Sequence, residues 1–444
     1  MTSALPNSAL VDPMTGIIRR LVDVAPVPGM PPRYRGMTAE VADARRLGAW
    51  PADRVSLGTT FGDVDGARVA ALGEAVERYC GNCVPTDLRR ASAAELMASG
   101  ERLLGPDDLP FFRADQYGRP GFPYQPFTTD FELLWARGVE DGEPCWVPAS
   151  WAYLNFHSGQ RRGEPRLHHL NYAGIATGEG GEDAIRRGLL ELVERDALEL
   201  WWHLGAPTTG IPLDEVPGLA REMAGSRLST HLVELPTEHP VACVAAVVVD
   251  EETGIVAGGG AARFDPAEAC VKAVLEAVHT WVFTLGLLEP DGWVFAAIEA
   301  GILAEGLYLP HRTDRGYADD AGPDLARIRD LGAQPQYWLD PRVRHRLLPR
   351  FTAPRRIVGL DSLPAGDLAA LRTSLRQQGC RVVNVDLTTP DIAETSLRVQ
   401  RVCATGLIPN APAAFRYLGL PRWSRVRVER GWDGGILLDP PPFL

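Results

Sequence analysis

The sequence predicts an α+β fold with mixed β-sheets and a pair of internally similar helices. Three observations lead there: two long helical patterns that each carry Glu-x-x-Glu-Arg, a β-hairpin pattern feeding a capped third helix, and a strand, helix, strand run near the C-terminus. With 444 residues, 45% hydrophobic and 23% charged, the composition is globular and a sizeable core is affordable.

Taken in order, the first 50 or so residues are rich in Pro and turn residues, and Val24 to Pro32 reads as irregular. Residues 1–55 are therefore expected to be a leading segment packed on a main body, residues 56–430. In that body, Asp63 and Asp65 precede an Ala-rich run, Ala67 to Cys80, closed by Gly81, which predicts a capped helix. A second helix is predicted from Glu182 to Trp202, with Ile185, Leu189, Val193 and Leu200 on its apolar side and Gly205 and Pro207 at its end. Val241 to Val249 and Ile255 to Phe264 read as strands joined by a turn at Glu251 to Gly254. Asp265-Pro266 then supplies an N-cap and a first-turn proline for a third helix ending near Leu285. Arg356 to Leu360, Leu368 to Gln377 and Arg381 to Leu387 give strand, helix, strand, with a further strand at Arg398 to Leu407. Residues 431–444 form a Pro-rich tail, and Asp439-Pro440-Pro441-Pro442-Phe443-Leu444 requires extended backbone there.

Charge and cysteine usage narrow the function classes. A net charge of -12 repels phosphate backbones and disfavours nucleic acid. The longest apolar stretch, Val241 to Val249, falls far short of the roughly 20 residues a membrane helix needs. Seven cysteines scattered through a long chain fit a reducing compartment, so a cytoplasmic protein is expected. No Gly-x-x-x-x-Gly-Lys-Ser/Thr loop is present, and Gly258-Gly259-Gly260 lacks the dinucleotide-binding spacing.

The internal similarity carries the chemistry. Ala71 to Cys80 aligns without gaps on Gly188 to Ala197, so Glu74, Glu77 and Arg78 coincide with Glu191, Glu194 and Arg195. Positions i, i+3 and i+4 share a helix face, and each helix projects two carboxylates and a guanidinium one way. One such motif is ordinarily a solvated surface pair; two on largely apolar helices point to a buried acidic cluster, which is stable only with cations between the carboxylates. Mg²⁺ takes such hard oxygen ligands and completes its shell with water and phosphate oxygens. Cys80 and Cys83 stand alone as a pair and are read as incidental, while His279, one turn beyond Glu276, lies within reach of the same helix face.

The stretches Ala71 to Asn82 (ALGEAVERYCGN) and Gly174 to Trp202 (GIATGEGGEDAIRRGLLELVERDALELWW) closely resemble the two signature helices of the YcaO family, and Leu10 to Leu21 (LVDPMTGIIRRL) resembles the start of its azole-forming members. The resemblance implies the YcaO-type ATP-binding fold with ATP and Mg²⁺ as cofactors. It implies nucleotide-binding roles for Glu74, Glu77, Arg78, Glu179, Asp183, Glu191, Glu194, Arg195, Lys272 and Glu276, the last two standing where the family has Arg-x-x-x-Glu. Glu77, Glu191, Glu194 and Glu276 are the implied Mg²⁺ ligands, and the tail carboxylate of Leu444 the implied catalytic base. The implied activity is ATP-dependent cyclodehydration, turning Cys, Ser or Thr of a ribosomally made precursor peptide into thiazoline or oxazoline. Thioamidation and macrolactamidine formation are alternatives on the same activated amide. An inactive nucleotide-binding subunit is another, motivated by Ala70 in place of the usual serine and by the irregular tail. Implied partners are the precursor peptide, a leader-binding protein resembling ubiquitin-activating enzymes, a flavin-dependent azoline dehydrogenase and a second copy of the chain.

Overall fold

The computed structural model describes residues 5–42, 55–432 and 434–444; the end of the expected leading segment, residues 43–54, lies outside the described residues. Fourteen strands among them form three sheets: β1 (Ile18–Asp23), β2 (Tyr34–Val41), β3 (Val55–Phe61), β4 (Arg89–Ser92), β5 (Glu132–Glu140), β6 (Glu143–Pro148), β7 (Ile175–Glu179), β8 (Thr209–Ile211), β9 (Ser229–Glu234), β10 (Ala242–Asp250), β11 (Ile255–Arg263), β12 (Arg356–Ile357), β13 (Val382–Asp386) and β14 (Leu397–Ala404). The orders are β1-β2-β3, β11-β10-β9-β8-β12 and β4-β5-β13-β14-β7, with β6 paired to β5.

Three long helices lie against these sheets: α1 (Val64–Asn82), α2 (Gly181–His203) and α3 (Pro266–Leu285). Asp63 caps α1 by accepting from Gly66, and Asp265 caps α3 by accepting from Glu268, with Pro266 in the first turn as the sequence predicts. Each helix follows a strand that carries a glycine where the helix backbone crosses. A Cβ on Gly58 of β3 would overlap Ala67 and Ala71 of α1, one on Gly178 of β7 would overlap Ala184 of α2, and one on Gly259 of β11 would overlap Ala273 and Ala277 of α3. The duplicated helix motif therefore belongs to a repeated strand–helix unit, and β11–α3 is a third unit of the same build.

Two hydrophobic cores share α2. Leu189, Val193, Trp201 and Trp202 pack with β9 to β11 and α3, whereas Leu200 joins the core of α1, β5 and β14. Because α2 is buried on most sides, several of its polar residues, Glu194, Asp196, Glu199 and His203, are buried with it.

Several elements differ from expectation. The leading segment contributes β1 and β2, which pair antiparallel with each other and with β3, so it shares a sheet with the main body. The expected strand Arg356 to Leu360 pairs only at Arg356 and Ile357 with β8, and a 3₁₀ turn follows at Leu360–Ser362. The β5–β6 hairpin turns on Asp141 and Gly142, both at positive φ (50° and 88°), the two-residue turn whose twist matches its strands.

The tail is extended and buried. Trp202 Nε1 donates to Asp439 O at 2.7 Å, Trp338 Nε1 to Pro440 O at 2.8 Å and Gln334 Nε2 to Phe443 O at 2.9 Å. The Asp439 carboxylate takes both terminal nitrogens of Arg346 at 2.6 Å and the Tyr337 hydroxyl. Gly258 N–H on β11 donates to Pro442 O at 2.6 Å, and a Cβ there would meet the Phe443 ring.

Two outcomes follow from this packing. Gly259→Ala is expected to destabilise the protein by about 1–3 kcal/mol in urea denaturation, because helix backbone rather than a movable side chain occupies the space. Burial works to raise the Asp439 carboxyl, but Arg346 and Tyr337 hold it below the usual carboxylate range, so its anchoring is present above the unfolded value and fades as pH falls below about 4. Asp439→Asn should accelerate amide hydrogen exchange across residues 437–444 at neutral pH, and the difference from wild type should narrow in acid.

Candidate active site

The three strand–helix units aim their polar faces at one another. α1 supplies Glu74, Glu77 and Arg78; α2 supplies Glu191, Glu194 and Arg195; α3 supplies Lys272 and Glu276. Their charges act on one another across the helices: Glu191 of α2 on Glu77 of α1, Glu276 of α3 on Glu194 of α2, and Glu74 of α1 on His279 of α3.

Three of the carboxylates are held alike. One oxygen accepts a backbone N–H from outside the helix: Leu57 to Glu74 at 3.0 Å, Gly174 to Glu191 at 3.0 Å and Ala262 to Glu194 at 3.1 Å. The other oxygen faces the arginine of its own motif. Arg78 lies 3.2 Å from Glu74 Oε1, and Arg195 lies 3.6 Å from Glu191 Oε1 and 3.0 Å from Glu194 Oε1. Lys272 pairs with Glu276 one turn on. Backbone amides and guanidinium groups are what an acidic group needs when water is removed from around it.

The compensation is incomplete. Burial pushes the Glu77 carboxyl up to about 8, Arg78 pulls it back, and Glu191 and Glu74 add to the rise. Burial and Glu191 likewise raise Glu194 against the pull of Arg195. Burial also works to raise Glu276, but Lys272, His279 and Arg195 together hold it down at about 2. Burial opposes the Arg195 charge, and Glu194, Glu191 and Glu276 more than offset it.

This donor set fits a magnesium nucleotide. The carboxylate oxygens are hard ligands, and two buried donors have no hydrogen-bond partner among the described residues: Arg195 Nε and the hydroxyl of Tyr34, which lies near Glu276. Both would serve an anionic ligand. Among the described residues no three His, Cys, Asp or Glu side chains gather at metal-ligating spacing.

Glu179 and Asp183 stand apart from this group. Glu179 ends β7 and is exposed; Asp183 accepts its N–H at 3.2 Å and is neutralised by Arg186 and Arg187. Asp183 precedes Glu191 by two helical turns, about 12 Å along the axis. Sequence reasoning passed over Tyr34 and Arg263. Arg263, at the end of β11, senses Glu194 and Glu276, and nothing local in a strand pattern marks such a cation. Cys80 is a buried thiol pushed up to about 12 by burial, in keeping with an incidental role. The tail meets β11 at Gly258, four residues from the Ala262 N–H that holds Glu194, about 13 Å of strand.

Three strand–helix units that bring acidic helices together, with no phosphate loop in the sequence, define the class of fold. The family model described as YcaO cyclodehydratase, ATP- and Mg²⁺-binding, matches residues 62–408, and the chain belongs to the YcaO family, which binds ATP and Mg²⁺. A structure described as a heterocyclase in complex with substrate and cofactor superposes with a TM-score of 0.71 at 20% identity, covering 99% of this chain and 56% of that one. YcaO from Methanopyrus kandleri, bound with AMPPCP and Mg²⁺, superposes at 0.54 and 19% identity, covering 96% and 91%. At such identities these similarities speak for the fold alone. An uncharacterised protein of Methanothermobacter thermautotrophicus is 28% identical over 226 residues, 48% of this chain and 54% of that protein. An uncharacterised protein in the tfuA 3′ region of Rhizobium leguminosarum bv. trifolii is 26% identical over 239 residues, 49% and 53%. The matches thus span about half the length of these two relatives. No helix among the described residues is long and apolar enough to cross a membrane.

Glu191→Gln keeps an oxygen for the Gly174 N–H while removing the charge. Binding of a non-hydrolysable ATP analogue with Mg²⁺, measured by calorimetry, should weaken about tenfold or more while stability changes by about 1 kcal/mol or less.

Proposed function

We propose that this chain is the ATP-dependent cyclodehydratase component that converts Cys, Ser or Thr residues of a ribosomally made peptide into thiazoline or oxazoline. The observation that carries this reading is the set of carboxylates on three neighbouring strand–helix units, Glu74, Glu77, Glu191, Glu194 and Glu276, with Arg78, Arg195 and Lys272 paired among them. ATP, when bound, supplies a phosphoryl group that turns the amide oxygen into a leaving group after side-chain attack. In this reading Glu77, Glu191, Glu194 and Glu276 hold Mg²⁺, while Arg78, Arg195 and Lys272 neutralise charge and Tyr34 and Arg263 add donors at its edge. Glu179 and Asp183 shape the turn into α2 and bear on the nucleotide from there.

Leu444 is proposed as the proton acceptor at the end of the tail. Its support is the anchoring of Asp439 to Phe443 alongside β11, the strand that also carries the Ala262 N–H. Peptide delivery is assigned to a separate leader-binding protein resembling ubiquitin-activating enzymes. A flavin-dependent dehydrogenase would act on the azoline afterwards, and a homodimer in the cytoplasm is the proposed state.

A second reading, thioamidation of a peptide amide at the same site, draws support from the Rhizobium relative named for its place beside tfuA. An inactive subunit is disfavoured because every carboxylate of the set is kept.

The test is mass spectrometry of a candidate precursor peptide incubated with this protein, the partner, ATP and Mg²⁺. Loss of one water per modified Cys, Ser or Thr, absent with Glu191→Gln, is the expected result. Exchange of oxygen for sulfur would replace it with the thioamidation reading, and an unchanged peptide would overturn both.

A further inference from the structure

We propose that Arg401 is a positioning residue for this site, acting on Glu191 through the single peptide unit between Ala173 and Gly174. Arg401 lies on β14, far in sequence from both acidic motifs, and is 1% exposed. One terminal nitrogen donates to Ala173 O at 2.6 Å, and the N–H of the same peptide unit, on Gly174, donates to Glu191 Oε2 at 3.0 Å. The guanidinium, the peptide dipole and the carboxylate are thus in line, each polarising the next.

The peptide units on either side of that plane are fixed as well. Ala173 N–H donates to Asn171 Oδ1 at 3.1 Å, and Gly174 O accepts from Val402 N at 2.7 Å. Gly174 has φ +92°, and a Cβ there would strike Val402 O, so only glycine lets the plane face both ways. The other nitrogens of Arg401 reach Asn171 O at 2.7 Å and Ala152 O at 3.1 Å.

The charge itself calls for explanation. Among the described residues Arg401 makes no ion pair, and all its acceptors are neutral carbonyls. A neutral donor would satisfy carbonyls without the cost of desolvating a cation. What the cation adds is a charge-assisted hydrogen bond to Ala173 O, on the peptide whose N–H holds Glu191. Burial lowers the Arg401 guanidinium to about 10, so it remains charged at neutral pH. Arg401 therefore holds the Ala173–Gly174 peptide, and through its N–H the Glu191 carboxylate. This assignment rests on the magnesium-nucleotide reading of the site but not on the peptide chemistry.

Arg401→Gln keeps donors and removes charge; Arg401→Lys keeps charge and removes the fork. The measurement is the Mg²⁺ concentration giving half-maximal binding of a non-hydrolysable ATP analogue, read by fluorescence or calorimetry alongside the melting temperature of the ligand-free protein. Both variants are expected to melt lower. The Gln variant should require on the order of tenfold more Mg²⁺, whereas the Lys variant should stay within about threefold of wild type. Wild-type Mg²⁺ dependence in the Gln variant would overturn the proposal, as would a folded Lys variant impaired by more than about tenfold, which would reduce Arg401 to a structural fork. If Arg401→Gln fails to fold, the Lys variant decides alone. Wild-type protein that binds the analogue but leaves the peptide unchanged would sink cyclodehydration and leave the role of Arg401 in place.

Discussion

The structure depends on keeping several carboxylates together in the interior. Buried Glu194 and half-buried Glu77 feel the charge of Glu191 and, in turn, of Glu276 and Glu74, an arrangement that would repel itself apart in a bare apolar core. The chain answers with backbone amides from Leu57, Gly174 and Ala262, and with an arginine one turn or less along the same helix. Gly58 and Gly178 let α1 and α2 settle onto the strands that precede them, and Gly259 does the same for α3. Sheet glycine, helix acids and arginine form one device in the first two units; the third keeps the glycine and pairs its acid, Glu276, with Lys272.

The edge of β11 shows how the same constraint reaches the tail. An edge strand leaves alternate N–H groups without a neighbouring strand. Here Ala262 N–H is taken by Glu194 and Gly258 N–H by Pro442 O. Proline lacks an N–H but keeps its carbonyl, so a Pro-rich segment can close an edge without offering a further strand to pair with. The tail and the acidic helix therefore share one strand edge, which sets where residues 440–444 run.

Much of this was legible in the sequence because it is local. Glu-x-x-Glu-Arg at Glu74 and Glu191 is written within one helix turn, and Asp265-Pro266 announces its helix start directly. The strands β10 and β11 were readable as apolar runs around a turn. What escaped is of two kinds. Asp141-Gly142 is a plain hairpin signal, but its flanking strands carry Glu132, Arg137 and Glu140 and do not look apolar. Tyr34, Arg263 and Arg401 sit on strands whose patterns say which face is buried and nothing about which distant helix lies there. Their roles come from tertiary packing between elements that are not adjacent in sequence, as with Asn171 to Ala173 and Arg401.

The two copies of the acidic motif are held alike but not situated alike. Arg78 stacks over the Tyr172 ring at 4.3 Å and pairs with Glu74, a half-buried group. Arg195 is wedged between Glu191 and Glu194 and also senses Glu276 from the third helix. Its Nε retains a donor with no partner among the described residues. A guanidinium already committed on one side and open on the other is suited to meet a phosphate oxygen without reorganising, because the surrounding carboxylates fix its plane. The first copy adds an aromatic face, Tyr172, beneath its arginine, which also donates to Glu74. The two similar acidic arms are thus set in different surroundings: the third strand–helix unit, β11 with α3, brings the charge of Glu276 to bear on Arg195 and of His279 on Glu74.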